Sequence, residues 1–264
     1  MKSLMSLNKT IDETNVQKII LEKESLISVV MPAYNEGEHI AEAIGQISGQ
    51  LNVNGHRFEI IVVDDGSKDD TYNVVNKLNI KNLHTIRLRN NSGKGIALKQ
   101  GLEHARGEYV IFVDSDMEIS AKNIDNYIDT LKTHDIVIAS KRHPNSTYQA
   151  TILRKFLSTA FQTLVTIMVG VKATDTQSGL KAGRAEPLKN IFSLLAVKRY
   201  AFDVEMLTLA NLLRYTYTEM PVDIKLKAWF NPIEALRMLI DLLGIAYRLR
   251  IRKWYQRNIL LLSP

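Results

Sequence analysis

Tyr109-Val110-Ile111-Phe112-Val113-Asp114-Ser115-Asp116 is the stretch on which the reading of this chain turns. The run from Tyr109 to Val113 is aromatic and aliphatic, as a buried strand requires. Two carboxylates, one residue apart, follow it immediately. In open α/β sheets, ligands bind outside the carboxyl ends of the strands. Carboxylates at such an end can hold a divalent cation against a ligand's phosphates. The tripeptide alone says little, since about one D-x-D arises by chance in a chain of this length. Its position directly after a strand makes it a candidate site.

Working outward, strand and helix patterns alternate through the first 140 residues. Ile27 to Met31 reads as a strand closed by Pro32, and helical pattern follows from Glu36 to Ser48. Phe58 to Val63 is a second strand that ends at Asp64-Asp65-Gly66-Ser67, with Asp69 or Asp70 placed to cap the next helix. Leu83 to Leu88 is a strand, Gly93 to Ala105 a helix, Ala121 to Lys132 a helix and Asp135 to Ser140 a fifth strand. This order predicts a mostly parallel sheet with helices on both faces. Beyond residue 150 the expected elements are a helix from Ile152 to Met168, a polar loop from Ala173 to Gly179 and a short strand at Lys181 to Gly183. A helix from Phe202 to Leu213 and a strand from Thr218 to Lys225 follow.

In such a sheet three loops converge: Pro32-Ala33-Tyr34-Asn35-Glu36, Asp64-Asp65-Gly66-Ser67 and Asp114-Ser115-Asp116-Met117-Glu118. A nucleotide offers this edge a base, ribose hydroxyls and a diphosphate. Early carboxylates suit base and ribose, whereas the late ones suit a metal on the diphosphate. Three acidic loops would otherwise repel one another, and a dication resolves that conflict. Asn91-Ser92-Gly93-Lys94-Gly95 opens a helix without matching the phosphate-loop pattern, yet Lys94 is placed to meet an anion. The expected donor contacts are therefore Pro32, Tyr34, Glu36, Asp65, Lys94, Asp114 and Ser115. Arg142 ends the fifth strand, and Arg154 opens the next helix four residues before Ser158. Arginine is suited to bidentate phosphate binding. Asp203-Val204-Glu205 reads either as helix-start acids or as a carboxylate aimed at donor or acceptor.

Bulk properties narrow the class. With 264 residues, 45% of them hydrophobic, the chain can bury one full-sized core. It has no cysteine, which excludes disulfides and thiolate metal sites. The net charge of +6 is concentrated late: six Arg/Lys and a single acid, Asp241, lie between Arg237 and Arg257 among many apolar residues. That composition suits a membrane surface or a helix packed on its own domain with a solvated basic face, and no nucleic-acid motif accompanies it. The first 25 residues are polar and helical in pattern, without the apolar core of a signal peptide. The longest uncharged run, Phe156 to Val171, has 16 residues and reads as a core or interfacial helix rather than a clear transmembrane span. The expected organisation is a helical extension over 1–26, a catalytic domain over 27–230 and a basic amphipathic membrane-associating tail over 231–264.

Together these residues resemble glycosyltransferase family 2 with the glycosyltransferase-A fold, and more narrowly the dolichyl-phosphate glucosyltransferases. The resemblance spans about residues 27 to 225. Val30 to Glu36, Ile61 to Asp69, Gly93-Lys94-Gly95 and Asp114-Ser115-Asp116 carry its general part. Asp175-Thr176-Gln177-Ser178-Gly179-Leu180-Lys181 and Ala201-Phe202-Asp203-Val204-Glu205-Met206-Leu207 carry its narrower part. The fold it implies is α/β: a Rossmann-like, mostly parallel sheet with helices on both faces, here with a C-terminal amphipathic helix. The function it implies is inverting, metal-dependent transfer of a sugar, glucose from UDP-glucose above all, onto a dolichyl or polyprenyl phosphate. Asp65 would meet the nucleoside and Asp114 the ribose or donor sugar. Asp114, Asp116 and Glu118 would hold Mg²⁺ or Mn²⁺, while Arg142, Arg154 and Ser158 would hold the acceptor phosphate. Asp203 is carried over as a further catalytic candidate.

Ser178 departs from the cysteine usual in the glucosyltransferases, and the loop after the last strand offers only Lys225 and Lys227 where mannose synthases carry an arginine. The eukaryotic N-terminal anchor is not visible, so a peripheral site on the cytoplasmic face of a membrane is expected. A GDP-mannose-dependent synthase, a family 2 transferase acting on a sugar hydroxyl and a non-catalytic nucleotide-sugar binding protein at the membrane stay open. Assembly as a homo-oligomer stays open too.

Overall fold

The structure is a computed structural model that describes residues 25–116, 124–148, 151–199, 201–224 and 232–262. Its centre is a seven-stranded sheet of order β3-β2-β1-β4-β7-β5-β8. The strands are β1 (Leu26–Ala33), β2 (Arg57–Asp64), β3 (Leu83–Arg87), β4 (Tyr109–Phe112), β5 (Ile136–Ser140), β7 (Lys181–Arg184) and β8 (Tyr217–Pro221). A small parallel pair, β6 (Thr147–Tyr148) with β9 (Asp223–Ile224), lies beside it. The single strand expected from Thr218 to Lys225 is thus divided between two sheets, and Lys225 and Lys227 fall outside the described residues.

β1 pairs in parallel with β2, with Ala33 opposite Asp64, and with β4, with Val30 opposite Phe112. Parallel pairing in that register brings the ends of all three strands to one edge. β7 runs antiparallel to both β4 and β5. β4 and β5 therefore point the same way, and Lys141-Arg142 emerges on the same edge as Asp114. The loop entering β7, residues 173–180, lies between them.

Side chains alternate across the strands. Val30, Ile61, Val63 and Phe112 face one core, while Val29, Met31, Ile60, Val62 and Ile111 face the other. The second core is covered by α1 (Ile40–Val53) and α4 (Ile124–Thr130). The first is covered by α3 (Lys94–His104), α6 (Ala185–Ser193) and α7 (Phe202–Leu212), with Phe192 packed between Phe112 and Phe202. Helix α6 has no counterpart in the sequence reading. Its Leu188, Ile191 and Phe192 are buried, and Pro187 sits in the first turn, where the missing N–H costs nothing. Short α2 (Thr71–Lys77) follows β2; its start is held by Asp69, whose carboxylate accepts from Thr71 N at 3.1 Å, rather than by Asp70.

The C-terminal segment comprises α8 (Pro232–Ala246), a π-helical turn (Tyr247–Ile251) and α9 (Trp254–Leu262). Leu242, Ile245 and Tyr255 are fully buried in the first core. The stretch separated in sequence at residue 231 thus shares a core with the sheet. Helix α5 (Ile152–Val169) packs beside α8 and buries only Gln162, Val165 and Val169. Ile152 is 88% exposed and Phe156 68%, so the core alternative for this helix is excluded. It has 18 residues with mean hydropathy 1.3, enough by length and composition to cross a membrane, yet its buried face is seated on the domain. The helical extension expected at the N-terminus lies, apart from Ser25 and Leu26, outside the described residues.

Candidate active site

The three strand-end loops are cross-tied by short polar contacts. Asp65 N donates to Ala33 O at 2.8 Å, Ser115 Oγ to Pro32 O at 2.9 Å and Asn35 N to Ser67 Oγ at 2.9 Å. Asn35 takes a positive φ of 57°, which asparagine tolerates better than most residues. The loops enclose a cleft of about 330 Å³ lined by Pro32, Ala33, Tyr34, Glu36, Asp65, Asn91, Gly93, Lys94, Ala97, Asp114, Ser115, Asp116, Arg199 and Glu234. All seven residues expected to meet the donor therefore line one cleft, together with Asp116.

Asp65 is buried and accepts from Ser92 N at 2.7 Å and Gly93 N at 2.8 Å. Burial raises its pKa, and the two N–H donors offset this only in part. Glu36 is also raised, first by burial and then by Asp116, with Asp69 and Asp114 adding to the negative field. Lys94 answers that field: its Nζ lies 2.5 Å from Asp114 Oδ1. Burial opposes its charge, but Asp114, Asp203 and Asp116 keep its pKa above the ordinary value.

The Asp175–Lys181 stretch explains why Asp114 sits where it does. A Cβ on Gly179 would fall 1.8 Å from Asp114 Oδ2, so only glycine lets this loop close on the carboxylate. The same loop grips the fifth strand's end. Asp175 accepts from Lys141 N at 3.0 Å and from Ser178 Oγ at 2.7 Å, and it pairs with Lys141 Nζ at 3.5 Å. Ser178, the departure from cysteine, is thus a buried hydrogen-bond donor. Burial works against the Asp175 carboxylate, yet Lys141 and these donors hold its pKa below the ordinary value.

Asp203 does not line the cleft. It is buried behind Lys94 and pairs with Lys181 Nζ at 2.9 Å; burial is the main cause of its raised pKa. Glu205 is fully buried and accepts from Ala196 N at 3.0 Å and Val197 N at 2.7 Å. Arg142 meets helix α5, donating to Ser158 Oγ at 3.3 Å and Thr159 Oγ1 at 3.2 Å. Arg154 lies one turn before Ser158 on that helix, so the two share a face. Glu118 lies outside the described residues.

Two charged cleft residues escaped the sequence reading. Arg199 stands over the Asp65 side, and Glu234 comes from the first turn of α8. Arg199 lies in a loop without periodicity. Glu234 belongs to a segment whose amphipathic pattern gave no hint that it returns to the cleft.

The model of the family described as Glycosyl transferase family 2 matches residues 28–192, which hold all three acidic loops. The chain belongs to glycosyl transferase family 2. Among similar proteins, a dolichyl-phosphate beta-glucosyltransferase of Saccharomyces cerevisiae is 32% identical, with 87% of this chain and 77% of that one aligned. Its counterpart in Dictyostelium discoideum is 30% identical, over 86% of this chain and 76% of the other. Among solved structures, glucosyl-3-phosphoglycerate synthase from Mycobacterium tuberculosis, in complex with Mn²⁺, UDP-glucose and phosphoglyceric acid, has the same fold. The TM-score is 0.65 at 22% identity, covering 84% of this chain and 80% of that one. This family 2 chain is a glycosyltransferase, and its mostly parallel sheet with helices on both faces is the fold expected of one.

Proposed function

We propose that this transferase moves glucose from a uridine diphosphate sugar onto dolichyl or a related polyprenyl phosphate at a membrane surface. One observation carries the reading: the loop Ala173–Leu180 braces Asp114 in the cleft and Lys141, the neighbour of Arg142, at the same sheet edge. One element thereby touches the donor carboxylate and the residue next to the acceptor arginine. The names of the similar glucosyltransferases support the sugar and the lipid, and the fold neighbour's complex with Mn²⁺ and UDP-glucose supports the metal and the nucleotide.

The residues present fit a divalent cation. Asp114 and Asp116 offer oxygen donors in one cleft, and a side chain at position 179 would collide with the Asp114 carboxylate; among the described residues no third metal-ligating side chain completes a cluster with them. When bound, Mg²⁺ or Mn²⁺ would supply compensation for the charge that grows on the departing nucleoside diphosphate. Asp65 and Tyr34 border the part of the cleft suited to the base, and Arg199 and Lys94 supply cations for phosphate oxygens. A phosphate monoester is already ionised near neutral pH, so its attack on the anomeric carbon needs no strong general base. The chain's task is then positioning and charge stabilisation. Arg142, Ser158 and Arg154 align the incoming phosphate, and Asp203 acts through Lys181 and Lys94 rather than as a base.

The lipid's route follows from surface chemistry. Ile152, Leu153, Phe156 and Ile167 on α5 and Ile233, Leu236, Ile240 and Leu243 on α8 are exposed, on two helices that pack against each other. Arg237, Arg250, Arg252 and Lys253 accompany them. An apolar face with basic flanks favours an anionic bilayer surface. A thermal-shift panel of UDP- and GDP-sugars with Mn²⁺ tests the donor: a rise specific to UDP-glucose is expected, and a rise specific to GDP-mannose would replace it with a mannose donor.

A further inference from the structure

The fully buried carboxylate of Glu205 gathers partners from two distant parts of the chain. Its Oε2 accepts from the backbone of Ala196 and Val197. Its Oε1 accepts from Arg248 Nη2 at 3.2 Å and from the Tyr255 hydroxyl, while Arg248 Nε donates to Tyr255 Oη at 2.9 Å. Arg248 belongs to the π-helical turn and Tyr255 to α9. π-Helical turns are rare and recur at functional sites. An unpaired carboxylate at this depth would be costly, and four converging donors offset that cost.

The segment held by Glu205 leads directly to the donor cleft. One residue after Val197, Lys198 O accepts from Gly95 N at 3.0 Å, and a Cβ on Gly93 would lie 2.5 Å from the same oxygen. The Ser92–Gly95 turn is therefore seated on residues 197–199. That turn gives Asp65 its two N–H donors and carries Lys94 to Asp114. Arg199, the next residue, lines the cleft itself, as does Glu234 from the tail.

We infer that Glu205 is a positioning residue that ties the C-terminal segment to the nucleotide-sugar cleft, so that Arg248 and Tyr255 set donor affinity from outside it. The inference rests on the reading of the cleft as the donor site. Residues 194–199 have no regular secondary structure to order them. Loss of either tail donor would loosen their hold on the Ser92–Gly95 turn, and with it Asp65, Lys94 and Arg199 together. Arg142 reaches α5 at Ser158 and Thr159, more than two turns from Ile167, where Arg250 of the same π-helical turn donates to that helix at 2.6 Å.

The test uses the whole 264-residue chain and three variants: Tyr255→Phe, Arg248→Met and Glu205→Gln. Calorimetric titration with UDP and Mn²⁺ gives the Kd, and steady-state assays give KM for UDP-glucose and for dolichyl phosphate. Coupling of this kind is expected to raise UDP Kd and donor KM by about fivefold or more, with lipid KM within about twofold of wild type. Tyr255→Phe removes one oxygen and is the mildest change, so it carries the test if Glu205→Gln does not fold. A lowered Tm with unchanged UDP Kd and donor KM would make the cluster a purely structural clamp and overturn the inference. Failure of wild-type protein itself to bind UDP with Mn²⁺ would instead overturn the donor reading on which it rests.

Discussion

The proposed donor side and the proposed acceptor side of this molecule are built on opposite principles. On the donor side, carboxylates from two strand ends, Asp65 and Asp114, are held by backbone N–H groups and by Lys94 within a cleft. On the acceptor side, Arg142 reaches two hydroxyls on an exposed apolar helix. The difference suits the two ligands proposed. A nucleoside diphosphate is small, polar and charged, and needs preorganised dipoles. A polyprenyl phosphate has one charged end and a long apolar chain, which needs a greasy approach and a single cationic anchor. The Asp175–Lys181 stretch is where the two designs meet.

Variants can break that contrast. The largest effect is expected at Asp116. Asp116→Ala should lower kcat by about 100-fold or more and remove its response to Mn²⁺; near-normal turnover at saturating donor would end the metal role of this residue. Asp203 separates a base from a buried partner. Asp203→Ala strands Lys181 without a counter-charge, with an expected stability loss of about 3–5 kcal/mol in urea unfolding. An inactive variant of undiminished stability would return Asp203 to the chemistry. Gly179→Ala should displace Asp114 and cost about tenfold in kcat while leaving lipid KM alone. Equal loss on both substrates would show that the loop acts on the whole edge.

Arg142→Ala and Arg154→Ala probe the other side. Each should raise the KM for the lipid by about tenfold with little change for UDP-glucose. A selective rise in donor KM would contradict the division drawn here. The smallest effect is one of pH. The folded-state pKa of Asp175 lies below its ordinary value of 3.8. Its contribution to stability is therefore complete above pH 3.8 and is lost as pH falls through the still lower folded value. Wild-type Tm should thus drop more steeply below pH 3.8 than that of Asp175→Asn, and parallel curves would remove this role.

The acidic cleft was legible in sequence because strand ends and acidic doublets are local signals. Tyr109–Asp116 and Phe58–Asp65 each place a carboxylate by chain order alone, and parallel pairing does the rest. The direction of β7 was not legible, since four residues carry no orientation; the packing of the loop before it sets that. Helix α6 was hidden by its brevity and by Pro187, which reads as a breaker although it sits in the first turn. The tail was the hardest region. An amphipathic helix announces an apolar face but not whether lipid or protein covers it, and here Leu242, Ile245 and Tyr255 face protein while Ile240 and Leu243 face outward. Glu205 looked like a helix-start acid because its partners Arg248 and Tyr255 lie more than 40 residues away.

The most direct measurement is transfer of radiolabelled glucose from UDP-glucose to dolichyl phosphate in vesicles, with Mn²⁺ and with EDTA, for wild type and Asp116→Ala. A glucosylated lipid that forms only with wild type and metal is the predicted result. Lipid product formed equally in EDTA, or equally by Asp116→Ala, would contradict the account.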